Sequence, residues 1–167
     1  MALRSISLRD FAIVREITLD FQEGFTVLTG ETGAGKSILI DAIQLALGAR
    51  AESSVIREGA SRSDISVEFD TPAHCRDWLA EGGFDSPDAL LMRRTIDTQG
   101  KSRAWINGSV ATAAQLRELG NNLLDIHGQH AWQSLTRPDA VRKLLDAYAG
   151  VTTDALSALW LQWRKAL

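Results

Sequence analysis

Eight consecutive residues, Gly30-Glu31-Thr32-Gly33-Ala34-Gly35-Lys36-Ser37, limit the possible architecture more than any others in the chain. Before them, Phe25 to Thr29 is a short apolar run that reads as a buried strand. After them, Lys36 to Leu47 reads as a helix carrying Ile38, Leu39, Ile40, Ile43, Leu45 and Leu47, enough aliphatic surface to be covered on more than one side. Strand, glycine-rich loop and helix in this order satisfy the pattern G-x-x-x-x-G-K-[ST]. Gly30, Gly33 and Gly35 allow backbone angles and close approaches that a side chain blocks. Successive loop amides then form an anion-binding nest, and the positive end of the following helix points at the same place. The spacing therefore predicts a polyphosphate cradle. Lys36 is expected to reach the β- and γ-phosphates and the Ser37 hydroxyl to coordinate Mg²⁺, with ATP as the expected nucleotide. By itself the motif names no reaction.

The remaining elements follow from periodicity and turn chemistry. Leu3 to Leu8 and Ala12 to Phe21 alternate and predict strands, with a turn at Gln22 to Gly24. Gly48 is the expected stop of the helix after the loop, and Arg50 to Arg62 is polar and irregular. Ile65 to Phe69, Leu90 to Asp97 and Arg103 to Ile106 predict further strands, the last two joined near Gln99-Gly100, with a tight turn at Asn107-Gly108. Ala73 to Ala80 is weakly helical and ends at Gly82-Gly83. Thr112 is the expected cap of a helix over Ala113 to Leu119, with Gly120 past its end, and Leu123 to Ile126 is a strand candidate. Pro138 starts a helix that runs to Ala149 and stops at Gly150, and Asp154 to Leu167 is helical to the last residue.

Composition excludes some classes. With 167 residues, 45% of them apolar, the chain can bury the core of one ordinary domain. A net charge of −3 gives no overall basic excess for nucleic acid, although local patches stay open. Cys75 is the single cysteine, so neither an intrachain disulfide nor a cysteine zinc cluster can form. Arg4, Arg9 and Asp10 interrupt the N-terminal region, which lacks the apolar core of a signal peptide. No segment has the roughly 20 apolar residues of a membrane span. A soluble cytoplasmic protein is expected.

Four blocks carry a family resemblance: Ile6 to Val14, Phe25 to Arg50, Arg93 to Gly108 and Asp125 to Ala131. Together they resemble the amino-terminal half of the ATPase head of the structural-maintenance-of-chromosomes (SMC) class, and most closely its bacterial DNA-repair branch. The resemblance implies an α/β P-loop NTPase fold, the amino-terminal lobe of an ABC-type head with mixed and antiparallel sheet, over residues 1–150. Residues 151–167 would begin a coiled-coil helix. It also implies a carboxy-terminal lobe holding the signature motif, Walker B acids and switch histidine. A second head, clasping two ATP molecules with the first, and DNA would be the other partners, and no membrane. Localisation would be bacterial and cytoplasmic, at the nucleoid. By position Gln129 is similar to the Q-loop glutamine that meets Mg²⁺ and the attacking water. Arg50 sits just past the P-loop helix, where such heads often place an arginine near phosphates or DNA; a solvated surface arginine is the alternative.

Other residues fit plainer readings. Leu123-Leu124-Asp125 imitates a Walker B strand but lacks its length and its following acid, so Asp125 reads as the approach to the Q-loop. Without a general-base glutamate the chain should bind nucleotide and hydrolyse little. His127 and His130 have no third ligand at zinc spacing. Trp160 and Trp163 fit packing against a returning coiled-coil arm. Arg57, Arg62, Arg93, Arg94, Lys101 and Arg103 form either a face for DNA phosphates or, slightly preferred, a charge-protected strand edge. A small-molecule kinase and a transporter nucleotide-binding domain remain as alternatives. The direct test is nucleotide binding with and without Mg²⁺ by the native chain and Lys36→Ala, where a large loss of affinity is expected because a charge-assisted phosphate contact disappears.

Overall fold

Alternating apolar residues need a sheet with one covered face, and the chain builds one. A computed structural model describes residues 3–29, 35–85, 89–124, 126, 138–151, 156, 159–160 and 162–164. Its strands are β1 (Leu3–Phe11), β2 (Val14–Asp20), β3 (Arg62–Asp70), β4 (Ala89–Asp97), β5 (Ser102–Ile106) and β6 (Ser109–Ala111). They form a six-stranded sheet in the order β2-β1-β3-β4-β5-β6, antiparallel at every pairing. Ile6 and Leu8 of β1, Ile65, Val67 and Phe69 of β3, and Leu90, Met92 and Ile96 of β4 are fully buried on one face. Each such side chain stabilises the fold by about 1.5–3 kcal/mol.

Helices cover that face. They are α1 (Gly35–Ala46), α2 (Arg76–Glu81) and α3 (Ala113–Leu123). Ala42, Leu45 and Ala46 of α1 and Leu116, Leu119 and Leu123 of α3 join the strand residues in one core. Thr112 starts α3 with a reciprocal cap: its Oγ1 accepts from the Gln115 amide at 3.2 Å, and its own amide donates to Gln115 Oε1 at 2.9 Å. Trp78 of α2 donates through Nε1 to Glu118 Oε1 at 2.9 Å, which ties α2 to α3.

Two glycines bring α3 against the end of α1. A Cβ on Gly48 would lie 2.6 Å from the Arg117 amide nitrogen and 2.7 Å from the Ala113 carbonyl oxygen, and Gly48 has φ +92°. A Cβ on Gly120 would lie 2.9 Å from Leu47 Cβ. Gly120 is therefore an interior residue of α3, where the sequence had predicted the helix to be over. Close packing, not chain termination, accounts for it. Leu123 in turn is the last residue of α3, so the strand expected from Leu123 does not start there.

Two further differences concern pairing. Phe25 to Thr29 forms no strand, and Phe25 and Val27 are 97% and 68% exposed. A strand needs a ladder partner. Among the described residues the sheet ends at β2 and β6 and offers none to this run. Conversely, Asn107 (φ 48°) and Gly108 (φ 83°) make the anticipated tight turn, after which β6 returns along β5 as a strand too short to be read from the sequence.

By contacts the chain divides into two compact units, Met1–Leu124 and Asp125–Leu167. The second contains α4 (Pro138–Ala149), with the start and end foreseen from Pro138 and Gly150. Val141, Leu144, Leu145 and Tyr148 of α4 are exposed. Residues 156, 159–160 and 162–164 are helical, and the Trp160 and Trp163 ring centroids lie 4.9 Å apart.

Gly48→Ala should lower the unfolding free energy by about 2–4 kcal/mol in urea denaturation, combining positive-φ strain with overlap on backbone atoms. Gly59→Ala, at φ +82° with open space around the position, should lose only the strain component. Equal losses in the two variants would refute the close approach.

Candidate functional site

The local reason for a site here is a helix start that presents amides without intrahelical acceptors. Gly35 opens α1, Lys36 is its second residue and Ser37 its third. A Cβ at Gly35 would meet nothing within 4 Å, and Ser37 is exposed. The first turn contains no acidic residue. An anion at this helix start would thus meet free amides and the positive helix pole, with no carboxylate of that turn to repel it. Gly30, Glu31, Thr32, Gly33, Ala34 and Gln129 lie outside the described residues, as does the Lys36 side chain.

The donor set suits Mg²⁺ brought in with a polyphosphate. Among the described residues no three His, Cys, Asp or Glu side chains cluster as a metal cage. Mg²⁺ keeps much of its water shell and commonly binds through substrate phosphates plus one or two protein oxygens. Ser37 Oγ is such an oxygen, at the correct end of the helix.

Arg50 is exposed and follows the opposite end of α1. The helix has 12 residues, a span of about 18 Å, and this length separates Arg50 from Ser37 along the axis.

The basic residues sort themselves by the pleat of the sheet. Arg93 faces outward, chelated by both Asp64 carboxylate oxygens, with its guanidinium 5.5 Å from the Trp105 ring centroid. The hydrogen bond to Asp64 raises the Arg93 pKa. Arg57 donates from Nε to Asp10 Oδ1 at 2.7 Å. Arg94 faces inward and is 3% exposed. Arg62, Lys101 and Arg103 are exposed. The six cations therefore form no single open face. Edge protection does not explain Arg93 and Arg94 either, because β4 lies inside the sheet between β3 and β5.

Arg94 is the residue that sequence reasoning misplaced. Leu90, Met92 and Ile96 share its strand phase, and that alternation was the available signal for an inward position. Its Nε donates to Ser102 Oγ at 2.7 Å, and its Nη1 donates to the Leu45 carbonyl at 2.8 Å and to the Ala49 carbonyl. Burial lowers its pKa, and the nearby charge of Arg117 adds to the effect. Arg117 Nη2 donates to the Gly48 carbonyl at 3.0 Å. The carbonyls at the end of α1 are thus held by two guanidinium groups.

The whole pattern has close relatives. Residues 5–139 match the model of the family described as "AAA domain". The chain is 45% identical over 169 aligned residues to the DNA repair protein RecN of Xylella fastidiosa strain Temecula1, covering 99% of this chain and 30% of the relative. It is 44% identical to RecN of Bacillus subtilis strain 168, covering 92% of this chain and 27% of that protein. The chain thus spans under a third of the length of these relatives. Among solved structures, one from work on ATP-driven dimerization and DNA-stimulated activation of SMC ATPases superposes with a TM-score of 0.65 at 23% identity, covering 86% of this chain and 97% of that one. The α/β fold with its antiparallel sheet is that of the amino-terminal lobe of an SMC head. With residues 5–139 matching that model, the chain belongs to the AAA-domain family.

Proposed function

We propose that this chain is the ATP-binding lobe of a RecN-like head that acts in recombinational repair of DNA double-strand breaks. The observation that carries the reading is the open, acid-free first turn of α1 at Lys36-Ser37, in a chain so similar to RecN proteins. In this reading Gly30 to Ser37 wrap the phosphates, Lys36 neutralises the β- and γ-oxygens, and Ser37 and Gln129 hold Mg²⁺. Bound Mg²⁺ supplies charge neutralisation on the transferring phosphate. Arg50, a helix length of about 18 Å from Ser37, serves contact with DNA rather than with these phosphates.

Hydrolysis requires groups from a separate carboxy-terminal lobe and a second head. The exposed run Phe25, Val27 and Leu28 supports that assignment. An apolar run next to the phosphate loop, with no strand partner among the described residues, suits pairing with a strand of the carboxy-terminal lobe. Residues 151–167 begin the coiled coil between the lobes. The parent protein is then a bacterial cytoplasmic ATPase that meets DNA at the nucleoid. No helix among the described residues is long and apolar enough to cross a membrane. The relatives favour this reading over a kinase or a transporter domain.

The isolated chain is expected to bind Mg-ATP weakly and to turn it over at near-background rate, while addition of the carboxy-terminal lobe restores ATPase. Robust turnover by the chain alone rejects the divided site. Lys36→Ala should weaken Mg-ATP binding by at least about tenfold in calorimetry, as expected for losing one charge-assisted hydrogen bond.

A further inference from the structure

Within the nucleotide-binding reading, we infer that Arg94 is a positioning residue for the phosphate-facing start of α1, acting through the far end of that helix. The inference starts from an energetic anomaly. Arg94 is a buried cation with no carboxylate partner among the described residues. Arginine stays protonated in proteins, so burial costs desolvation that its neutral acceptors only partly offset. Its neighbours in strand phase are Met92 and Ile96, both fully buried. An apolar side chain at position 94 would continue that surface without the cost. Apolar packing alone gives no reason for arginine here.

Its geometry supplies one. The guanidinium joins three elements: it sits on β4, reaches Ser102 on β5, and donates to the carbonyls of Leu45 and Ala49 at the end of α1. The Leu45 carbonyl accepts from the Gly48 amide at 3.1 Å as well, so Arg94 is its second donor, and a cation there also meets the negative helix pole. The planar fork satisfies several acceptors at once, which an ammonium cannot match in the same geometry. Arg117 holds the Gly48 carbonyl from the α3 side. The end of α1 is therefore tied to the sheet on one side and to α3 on the other.

A helix is stiff over this length, so axial slip or rotation at Ala46 is delivered to Gly35, Lys36 and Ser37. Phosphate contacts lose much of their value for displacements near 1 Å. Arg94 converts the rigid sheet into a fixed reference for those contacts without touching the nucleotide.

The test uses the full 167-residue chain. Mg-ATP affinity is measured below the melting transition for native protein, Arg94→Lys, Arg94→Met and Arg117→Met. A core variant such as Ile96→Val, chosen to match the melting loss, is the control. Arg94→Met should weaken affinity roughly tenfold and Arg94→Lys roughly threefold, with the control unchanged. Amide exchange of the nucleotide-free protein should accelerate at Ile40 to Ile43 in the Arg94 variants relative to β3. If Arg94→Met does not fold, Arg94→Lys and the exposed Arg117→Met carry both measurements. Equal affinity across the variants, equal weakening in the stability-matched control, or unchanged α1 exchange overturns the inference. A native chain that fails to bind Mg-ATP instead rejects the phosphate reading, and the exchange result still decides whether Arg94 holds α1.

Discussion

The seat of α1 on the sheet and against α3 is the constraint on which the rest of the first unit depends. The first turn of α1 carries no acidic residue, and the described contacts that hold the helix lie along its sides and at its far end. Ala42, Leu45 and Ala46 bury the sides. At the far end Gly48 admits the α3 backbone, Gly120 admits Leu47, and Arg94 and Arg117 take up the carbonyls. Small residues allow an approach that larger ones forbid, and the resulting contact is steep in distance. A seat of this kind resists displacement better than an ordinary apolar contact.

The sheet distributes its charges by the same logic. On the outer face, Arg93 lies between Asp64 and Trp105, and Arg9 of β1 pairs with Glu16 of β2 at 2.7 Å. These pairs cross between adjacent strands. As exposed pairs they contribute little to stability, but they pair off much of the cationic surface that an acidic polymer would otherwise meet. Among the described residues a single arginine is buried on the inner face, and its acceptors are backbone carbonyls and a hydroxyl. One residue of shift along β4 separates a solvated ion pair from a buried helix anchor. The period of two in a strand makes that difference absolute.

Elements governed by local chemistry were readable directly. Helix α1 announced itself through its aliphatic pattern, α3 through the Thr112 and Gln115 cap, and the β5–β6 connection through Asn107-Gly108. Where the reading went astray, the deciding partner was distant in sequence. Gly120 looks like a stop signal until Leu47 is brought against it. Phe25 to Thr29 looks like a buried strand because its residues are apolar, yet a strand forms only where another offers a ladder. Arg94 beside Arg93 looks like half of a basic patch until the pleat sends the two side chains to opposite faces.

The amino-acid order alone determined the glycine-rich loop, the helix after it and the candidate roles of Lys36 and Ser37. The φ freedom of glycine, the reach of lysine and the amides of a helix start are all supplied within eight residues. Tertiary structure alone decided that α3 runs through Gly120, that the Phe25 run has no strand partner among the described residues, and that Arg94 grips the end of α1. The first and last depend on which surfaces meet across 45 or more positions of chain, as in the 49 residues between Arg94 and Leu45, and the second on where the sheet's ladders run. No local propensity encodes such a meeting.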